Sequence, residues 1–465
     1  MKVFVLGCPT PGRVGGANGE MLGAVSLWLK HGLEVGVIPT WNGPGKQITD
    51  MLESMGCSVH LPGPRLLHTV QGFAGSTVVT FCNDNAFLAK RQLAKLGCRF
   101  IVAPLMCFLR QPVAGALRER LISDIVFQSE YQKSVLLPQI RQHGLDRFHF
   151  VRGYIDWEKI RFAPRSHAKG EPFVIGRASR ARASKWSRHW WKMYEEVPDR
   201  QATLLGVSSE TVKQIGRAPP WAKTSPPGAI PIEAFWPQLH AHVTCNDMDM
   251  ENWPRTGLEC MAYGVPTCAE NRGGWTEMLE HEVTGMLGNS PQDIGRQAAK
   301  LSRDEDLRMT IATEARRRLE TDISNPDLIW EQWREVFGLP CDVTYGVGSA
   351  SVDQNEPLRG QSRSKTWFDE ASVYDISPIQ QALPICRDMQ ILQDAADQVE
   401  EPEVQEEPLP LEQATLPPIL IPDYDFDDPE DPHPMLCFQH GGSSACEELN
   451  AEHEMTCPKC PQDTY

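Results

Sequence analysis

Apolar residues follow two rhythms along the first 340 positions. Short continuous runs at Val3–Leu6, Glu34–Pro39, Thr77–Phe81, Phe100–Leu105, Asp124–Gln128 and Phe148–Val151 alternate with helical patterns such as Glu20–Lys30 and Gln47–Gly56. Continuous apolar strands separated by helix-length segments predict a parallel sheet covered on both faces. A second series begins at Phe173-Val-Ile175 and continues through Thr203-Leu-Leu205, His242-Val-Thr244 and Val265–Ala269. Two doubly wound α/β domains follow, over residues 1–161 and 173–324, joined by a linker at 162–172 that carries Pro164, Gly170 and Pro172. Residues 325–338 fit one more helix, started by Pro326, with Trp330, Trp333, Val336 and Phe337 on one face as core.

Beyond Pro340 both rhythms stop. Residues 342–431 hold 21 acids against 4 bases, with repeated proline and the run Glu400-Glu-Pro-Glu-Val-Gln-Glu-Glu407. Such a stretch buries too little apolar surface to order itself, so 342–435 is expected to be a disordered acidic tether, with the potential to engage a protein partner. This changes the meaning of the net charge of -16 over 465 residues: from Asp342 onward the balance is -21, which leaves residues 1–341 at +5. The acidity belongs to the tail, and the body is mildly basic. No run of 18 apolar residues is present and the first strand turns early into a Pro/Gly loop, so neither a membrane span nor a secretory leader is expected and a cytoplasmic protein is the natural reading. Most of the fourteen cysteines are scattered singly in apolar surroundings and read as reduced core residues.

Candidate chemistry begins with the loop Gly12-Arg-Val-Gly15-Gly16-Ala-Asn-Gly19, between the first strand and the first long helix. Glycine lets backbone N–H groups approach an anion, and a helix N-terminus adds positive partial charge. A dinucleotide fingerprint would need an acid at the end of the second strand, where this chain has Ile38-Pro-Thr-Trp41, so a nicotinamide enzyme is not expected. In the second half, Glu251-Asn-Trp-Pro-Arg-Thr-Gly-Leu-Glu259 separates two carboxylates by seven residues, the first in a loop after a strand and the second in the first turn of a helix. Backbone N–H groups near Thr256, Gly257 and Leu258 can face a diphosphate, Glu259 can accept from ribose hydroxyls and Glu251 from a transferred sugar. The same residues also fit a capping box, Thr256-x-x-Glu259, and a solvated loop acid at 251. A strand at Gly264-Val-Pro-Thr-Cys-Ala269 and a helix opened by Gly273-Gly274, with Glu277 in its first turn, follow.

The ordered set Glu251-x7-Glu259, Ala262 to Pro266 and Gly273-Gly274 resembles the retaining glycosyltransferases of the GT-B fold, in the large group 1 (family 4) class. Gly15-Gly16 resembles that family's N-terminal glycine loop, and Phe173-Val-Ile-Gly176-Arg177 its strand ending in Gly-Arg. The match covers roughly residues 1–338 and is most specific over 251–285. It implies two Rossmann-like domains facing a cleft, a terminal helix that returns to the first domain, and a UDP- or GDP-sugar donor with a carbohydrate or other hydroxyl acceptor. It also implies Arg177 and Lys185 as the pair that neutralises the donor diphosphate, with no cofactor or metal for catalysis. The spacing of that pair is longer here by about two residues, so Arg180 or Arg182 is open to one of those roles. The family's frequent histidine near the transferred sugar has no counterpart; that strand end reads Ile101-Val-Ala-Pro-Leu-Met-Cys107.

Two rivals remain: an inactive GT-B body serving as a binding scaffold, motivated by that missing histidine and the long tail, and a transferase acting on modified nucleic acid, motivated by the basic cluster Arg177–Lys192. The tryptophans Trp186, Trp190 and Trp191 in that cluster fit helix packing better than stacking on bases. In residues 436–465, Cys437-Phe-Gln-His440 and Cys457-Pro-Lys-Cys460 are two pairs 16 residues apart, a spacing that can close a tetrahedral structural zinc site, with Cys446 or His453 as substitutes.

Overall fold

The structure, a computed structural model, describes residues 1–7, 16–41, 44–247 and 249–340. The expected tether, the Cys/His segment and Gly15 lie outside the described residues.

The first sheet contains β1 (Lys2–Leu6), β2 (Glu34–Ile38), β3 (Ser58–Val59), β4 (Thr77–Phe81), β5 (Arg99–Ala103), β6 (Asp124–Phe127) and β7 (Phe148–Phe150), in the order 3-2-1-4-5-6-7. The second contains β8 (Phe173–Ala178), β9 (Arg200–Leu205), β10 (Ala222–Ser225), β11 (Ala241–Val243), β12 (Thr267–Glu270) and β13 (Met286–Gly288), in the order 10-9-8-11-12-13. Every pairing between these strands is parallel. Two Rossmann-like α/β domains are therefore present, as the alternating pattern predicts. The apolar runs become central strands because both faces are covered: Val3, Phe4, Val5 and Leu6 of β1 are fully buried.

Strand order reverses between β1 and β4 in the first domain and between β8 and β11 in the second. At such a switch point the neighbouring connections leave on opposite sides of the sheet and open a crevice at the carboxyl ends of the strands. Topology alone thus directs attention to the loops after β1, β4, β8 and β11.

Three strands escape the sequence pattern, β3, β10 and β13, all at sheet edges and two to four residues long. The expected strand over Val265–Ala269 starts only at Thr267. Pro266 has no N–H to give, and contributes its carbonyl to the His242 N–H at 2.9 Å. Trp186 and Trp190 are fully buried, 4.8 Å apart edge to face, in the core of the second domain, where they pack with Tyr194.

The chain crosses between the domains twice. After β7 it enters the second domain, and after Ile323 it returns as the helix Pro326–Phe337, which buries Ile329, Trp333, Val336 and Phe337 in the core of the first domain. Trp333 meets Trp28 edge to face at 4.8 Å. The two crossings are bonded side by side: Ile155 N–H donates to Ser324 Oγ at 2.8 Å, Trp157 Nε1 to the Ser324 carbonyl at 3.0 Å and Arg152 N–H to Gln332 Oε1 at 3.1 Å.

Candidate functional site

The loops after β8 and β11 build a connected polar cluster. Arg177, the fifth residue of β8, is 3% exposed and lies under the cleft floor, with Trp186 and Trp190 rings 5.1 and 5.2 Å from its guanidinium carbon. It donates to the Cys245 carbonyl at 3.0 Å and to Asn246 Oδ1 at 2.8 Å. Asn246 passes the order on, its Nδ2 donating to Glu251 Oε1 at 2.9 Å. The same carboxylate oxygen accepts from Lys185 Nζ, also at 2.9 Å. Burial pushes the Glu251 carboxyl up, but the charge and hydrogen bond of Lys185, the amide of Asn246 and the charge of Arg177 outweigh it, so Glu251 is held below its ordinary range. It remains an anion, locked beside a lysine that is itself only partly exposed.

Glycine explains how Glu251 and Asn252 are held. The turn Gly273-Gly274 lies against their backbone, and Gly274 N–H donates to the Glu251 carbonyl at 2.8 Å. A Cβ on Gly274 would stand 1.5 Å from the Asn252 carbonyl oxygen. Gly273 has φ +59°, a left-handed conformation that costs glycine little. As expected, Glu277 lies in the first turn of the short helix Trp275–Met278 that this turn opens.

The helix Arg255–Tyr263 starts at Pro254 and has no side-chain cap. Thr256 therefore sits inside the helix and not at its cap, and Glu259 falls in the second turn, so the capping-box reading does not hold and the first-turn placement of Glu259 is corrected. Glu259 instead accepts from Trp236 Nε1 at 3.0 Å. Burial holds its carboxyl above the ordinary range, opposed by Arg255 and by that hydrogen bond. Of the three backbone N–H groups expected to face a diphosphate, that of Gly257 already donates to the Pro254 carbonyl at 2.9 Å, and Leu258 is fully buried. Gly257 serves packing as well: a Cβ there would come 2.4 Å from Met278 Sδ. The open donors of this helix end are the first two, at Arg255 and Thr256.

The other basic residues divide. Arg188 is paired with Asp247, while the exposed Arg180 and Arg182 have no side-chain hydrogen bond or ion pair among the described residues.

The first domain supplies the facing wall. Trp41, Cys82 and Leu105, just past β2, β4 and β5, have φ of 72°, 48° and 55°, a left-handed backbone that non-glycine residues seldom adopt. Arg110 reaches Cys82 Sγ at 3.9 Å and pairs with Asp84. Cys107 lies close enough to the second domain for Glu251, Lys185 and Glu277 to act on it; burial, aided by the two carboxylates and opposed by the lysine, pushes its thiol up to about 12. It is a neutral thiol at physiological pH.

The walls touch at one rim. Asn252 Nδ2 donates to Gln128 Oε1 at 3.1 Å and Asn252 Oδ1 accepts from Ser129 Oγ. Glu277 accepts the backbone N–H groups of Glu130 and Tyr131 at 2.9 and 2.8 Å, capping the helix Glu130–Arg141 from the other domain. Gly16 and Gly19 on the helix Gly16–Lys30 lie against Arg255, which reaches back to the Tyr154 carbonyl and stands 3.7 Å from Glu20. Sequence reasoning did not find Asn246, Asn252, Arg110 or Arg255. Asn246 had a signal, the turn-forming Cys245-Asn-Asp after a strand; the others depend on partners more than 25 positions away. Among the described residues no group of His, Cys, Asp and Glu is arranged to hold a metal ion, the seven cysteines are free thiols, and no helix is long and apolar enough to cross a membrane.

Two parallel-sheet domains with paired switch points, one polar network and one strained wall define a two-domain Rossmann-like architecture of the GT-B type. Residues 230–318 match the family model of Glycosyl transferases group 1. The chain is similar to the amylovoran biosynthesis glycosyltransferase AmsK of Erwinia amylovora, 30% identical over 97 residues, or 20% of this chain and 24% of that one. It is also similar to the putative glycosyltransferase YtcC of Bacillus subtilis (strain 168), 32% identical over 79 residues, or 16% of this chain and 19% of that one. The matched stretches thus span a quarter or less of those relatives. In three dimensions the fold is similar to Anabaena Alr3699/HepE, with a TM-score of 0.58 at 17% identity over 73% of this chain and 99% of that one. Sucrose-phosphate synthase from Thermosynechococcus elongatus is similar too, with a TM-score of 0.56 at 12% identity over 73% of this chain and 99% of that one.

Proposed function

We propose that the protein is a retaining glycosyltransferase that takes a sugar from a UDP- or GDP-sugar and passes it to an acceptor hydroxyl. The observation that carries this reading is the chain Arg177–Asn246–Glu251–Lys185 at the second domain's switch point, beside the open start of the helix Arg255–Tyr263. The match over residues 230–318 covers Glu251 and Glu259, and the solved Anabaena complexes hold UDP with glucose, and UDP-glucose.

In this reading Lys185 exchanges its carboxylate partner for the donor diphosphate, together with the N–H groups of Arg255 and Thr256. Arg177 is too enclosed to touch the donor. It holds Asn246, and through it Glu251, in place, so it is a positioning residue. Glu251 takes hydroxyls of the transferred sugar and Glu259 those of the ribose. The bond from the anomeric carbon to the diphosphate breaks with its electron pair going to the phosphate oxygen. The acceptor oxygen bonds that carbon on the same face, and its proton goes to the departing phosphate. Cations placed where the leaving charge develops lower the barrier.

The test is release of free nucleoside diphosphate from a panel of nucleotide sugars. Lys185→Ala is expected to lower kcat by about 10²- to 10³-fold, the scale of removing one group that stabilises developing charge. Proton couplings at the anomeric centre of the product read retention. Nucleotide release by the wild type also removes the rival reading of an inactive scaffold, which the missing histidine at the strand end before Cys107 and the long tail motivate. If Lys185→Ala and Glu251→Gln both turn over like the wild type, the assignment fails.

A further inference from the structure

We infer that Gln132 and Asn252 are positioning residues: a buried relay of hydrogen bonds through them ties the loop after β5 in the first domain to the loop that carries Glu251 in the second, and so sets the acceptor's wall against the donor's carboxylate. This rests on the reading of the protein as a glycosyltransferase and adds two residues to its machinery.

The relay starts in the first domain. Met106 follows the left-handed Leu105 in the loop after β5, and its carbonyl accepts from Gln132 Nε2 at 2.9 Å. Gln132 sits in the first turn of the helix Glu130–Arg141 and is fully buried. Its Oε1 accepts the Gln128 N–H at 2.9 Å, and its own N–H donates to Ser129 Oγ at 3.0 Å. The Ser129 hydroxyl, fully buried as well, donates to Asn252 Oδ1, and Asn252 Nδ2 donates to Gln128 Oε1 at 3.1 Å. The residue before Asn252 is Glu251, whose carboxylate Lys185 and Asn246 hold in the second domain. One peptide unit thus joins the amide that grips the first domain to the carboxylate fixed in the second.

Each amide in the relay is oriented by its partners. Reversing Gln132 would set N–H against N–H at Gln128 and oxygen against oxygen at Met106, and reversing Asn252 would set its oxygen against Gln128 Oε1. Buried polar groups that lose their partners cost free energy, so this network holds in one arrangement, whereas apolar side chains at the same junction would let the walls slide. The backbone under Asn252 has no slack either, because Gly274 packs against its carbonyl oxygen. The relay therefore acts on register and not only on cohesion. Register matters to the reaction because a displacement of about 1 Å between reacting groups can cost about 10²-fold in rate.

The test uses the full chain and follows nucleotide release from the best donor of the nucleotide-sugar panel, with water as acceptor. Gln132→Met keeps the length of the side chain and removes both amide bonds. It is expected to lower kcat per folded molecule about tenfold while donor KM and UDP affinity change by less than about twofold, the mark of misplaced reacting groups and not of lost donor binding. If that variant does not fold, Ser129→Ala, which removes the donor to Asn252, reads the same split. Asp124→Asn supplies the comparison, since it lowers the thermal midpoint from within the same domain and leaves kcat alone. A relay also makes its members interdependent, so the midpoint loss of Gln132→Met combined with Asn252→Ala should fall short of the sum of the two single losses. An unchanged kcat per folded molecule overturns the inference, and so does a raised donor KM at unchanged kcat or a strictly additive midpoint loss. If the wild type turns over no donor of the panel, the glycosyltransferase reading falls and the positioning role with it, while the midpoints still decide whether the relay exists.

Discussion

The two walls of the cleft are built by different means. In the second domain, four side chains within 75 positions form a connected set, Arg177, Lys185, Asn246 and Glu251, seated on a glycine turn. In the first domain, the wall is made of backbones held left-handed after three separate strands, with thiols and one arginine between them. The difference teaches where recognition is written. In the proposed reading, a donor diphosphate is met by fixed charges at fixed spacing, while the acceptor would face a shape assembled from distant loops.

The sharpest way to break the comparison is at the glycine seat. Gly274→Ala puts a methyl group 1.5 Å from the Asn252 carbonyl oxygen, which only a shift of the 251–252 backbone can relieve. A loss of more than about 4 kcal/mol in denaturant unfolding is expected, with turnover lost alongside. An equivalent insult to the first domain should spare the chemistry. Asp124 is fully buried at the start of β6, between Arg99, Arg147 and His149. Burial pushes its carboxyl up, but His149, Arg99 and Arg147 more than offset it and hold it at about 2. Because that value is depressed, the stabilisation is present above the ordinary 3.8 and is lost only as pH falls toward 2. Asp124→Asn leaves cations without their partner, and a loss of about 3 kcal/mol is expected, read as a lower thermal midpoint with kcat per folded molecule unchanged.

A smaller effect is expected where the walls meet. Glu277→Ala removes the acceptor for two backbone N–H groups of the helix Glu130–Arg141, a loss of about 1 kcal/mol that should appear as a wider interdomain distribution in small-angle scattering. The smallest effect distinguishes the two glutamates of the motif. Burial raises Glu259 above 4.5, whereas Lys185 and its neighbours hold Glu251 below it. On acidification Glu259 takes a proton first. Since its raised value means that ionising it costs stability, protonation does not unfold the chain, while the contribution of Glu251 persists until pH falls below 4.5. The donor KM should therefore rise a few-fold at mildly acid pH with no drop in thermal midpoint, and Glu259→Gln should remove that limb.

What was legible in the sequence follows from the same contrast. The apolar runs of β1, β4, β5 and β6 announced a parallel sheet because burial on both faces leaves no polar alternation. The edge strands β3, β10 and β13 are too short to leave a pattern, and β3 and β10 are lightly buried as well. Glu251, Glu259 and Gly273-Gly274 were legible because one loop and one helix place them, so spacing along the chain stands for spacing in space. Glu277 was visible as a first-turn acid, but not its partners, 146 and 147 positions away. Left-handed φ at Cys82 and Leu105 had no glycine or asparagine to signal it. The positioning role proposed for Arg177 was not legible, because the two tryptophans and Asn246 that enclose it come together only by tertiary packing.

The double crossing between the domains has a mechanical consequence. One strand of backbone would let two bodies twist and swing freely, but two strands fastened to each other at Ser324 and Gln332 act as a paired hinge pin. Motion is then confined to rotation about that line, like the cover of a book bound along its spine. Points near the spine barely move, and these include the contact of Asn252 and Glu277 with Ser129 and Glu130, because Trp253 and Met278 beside them pack with Ile155 and Ile323 of the crossings. Opening by such a route would widen the cleft on the side away from the crossings while keeping Lys185 and Glu251 in register with each other, since both ride on the same cover.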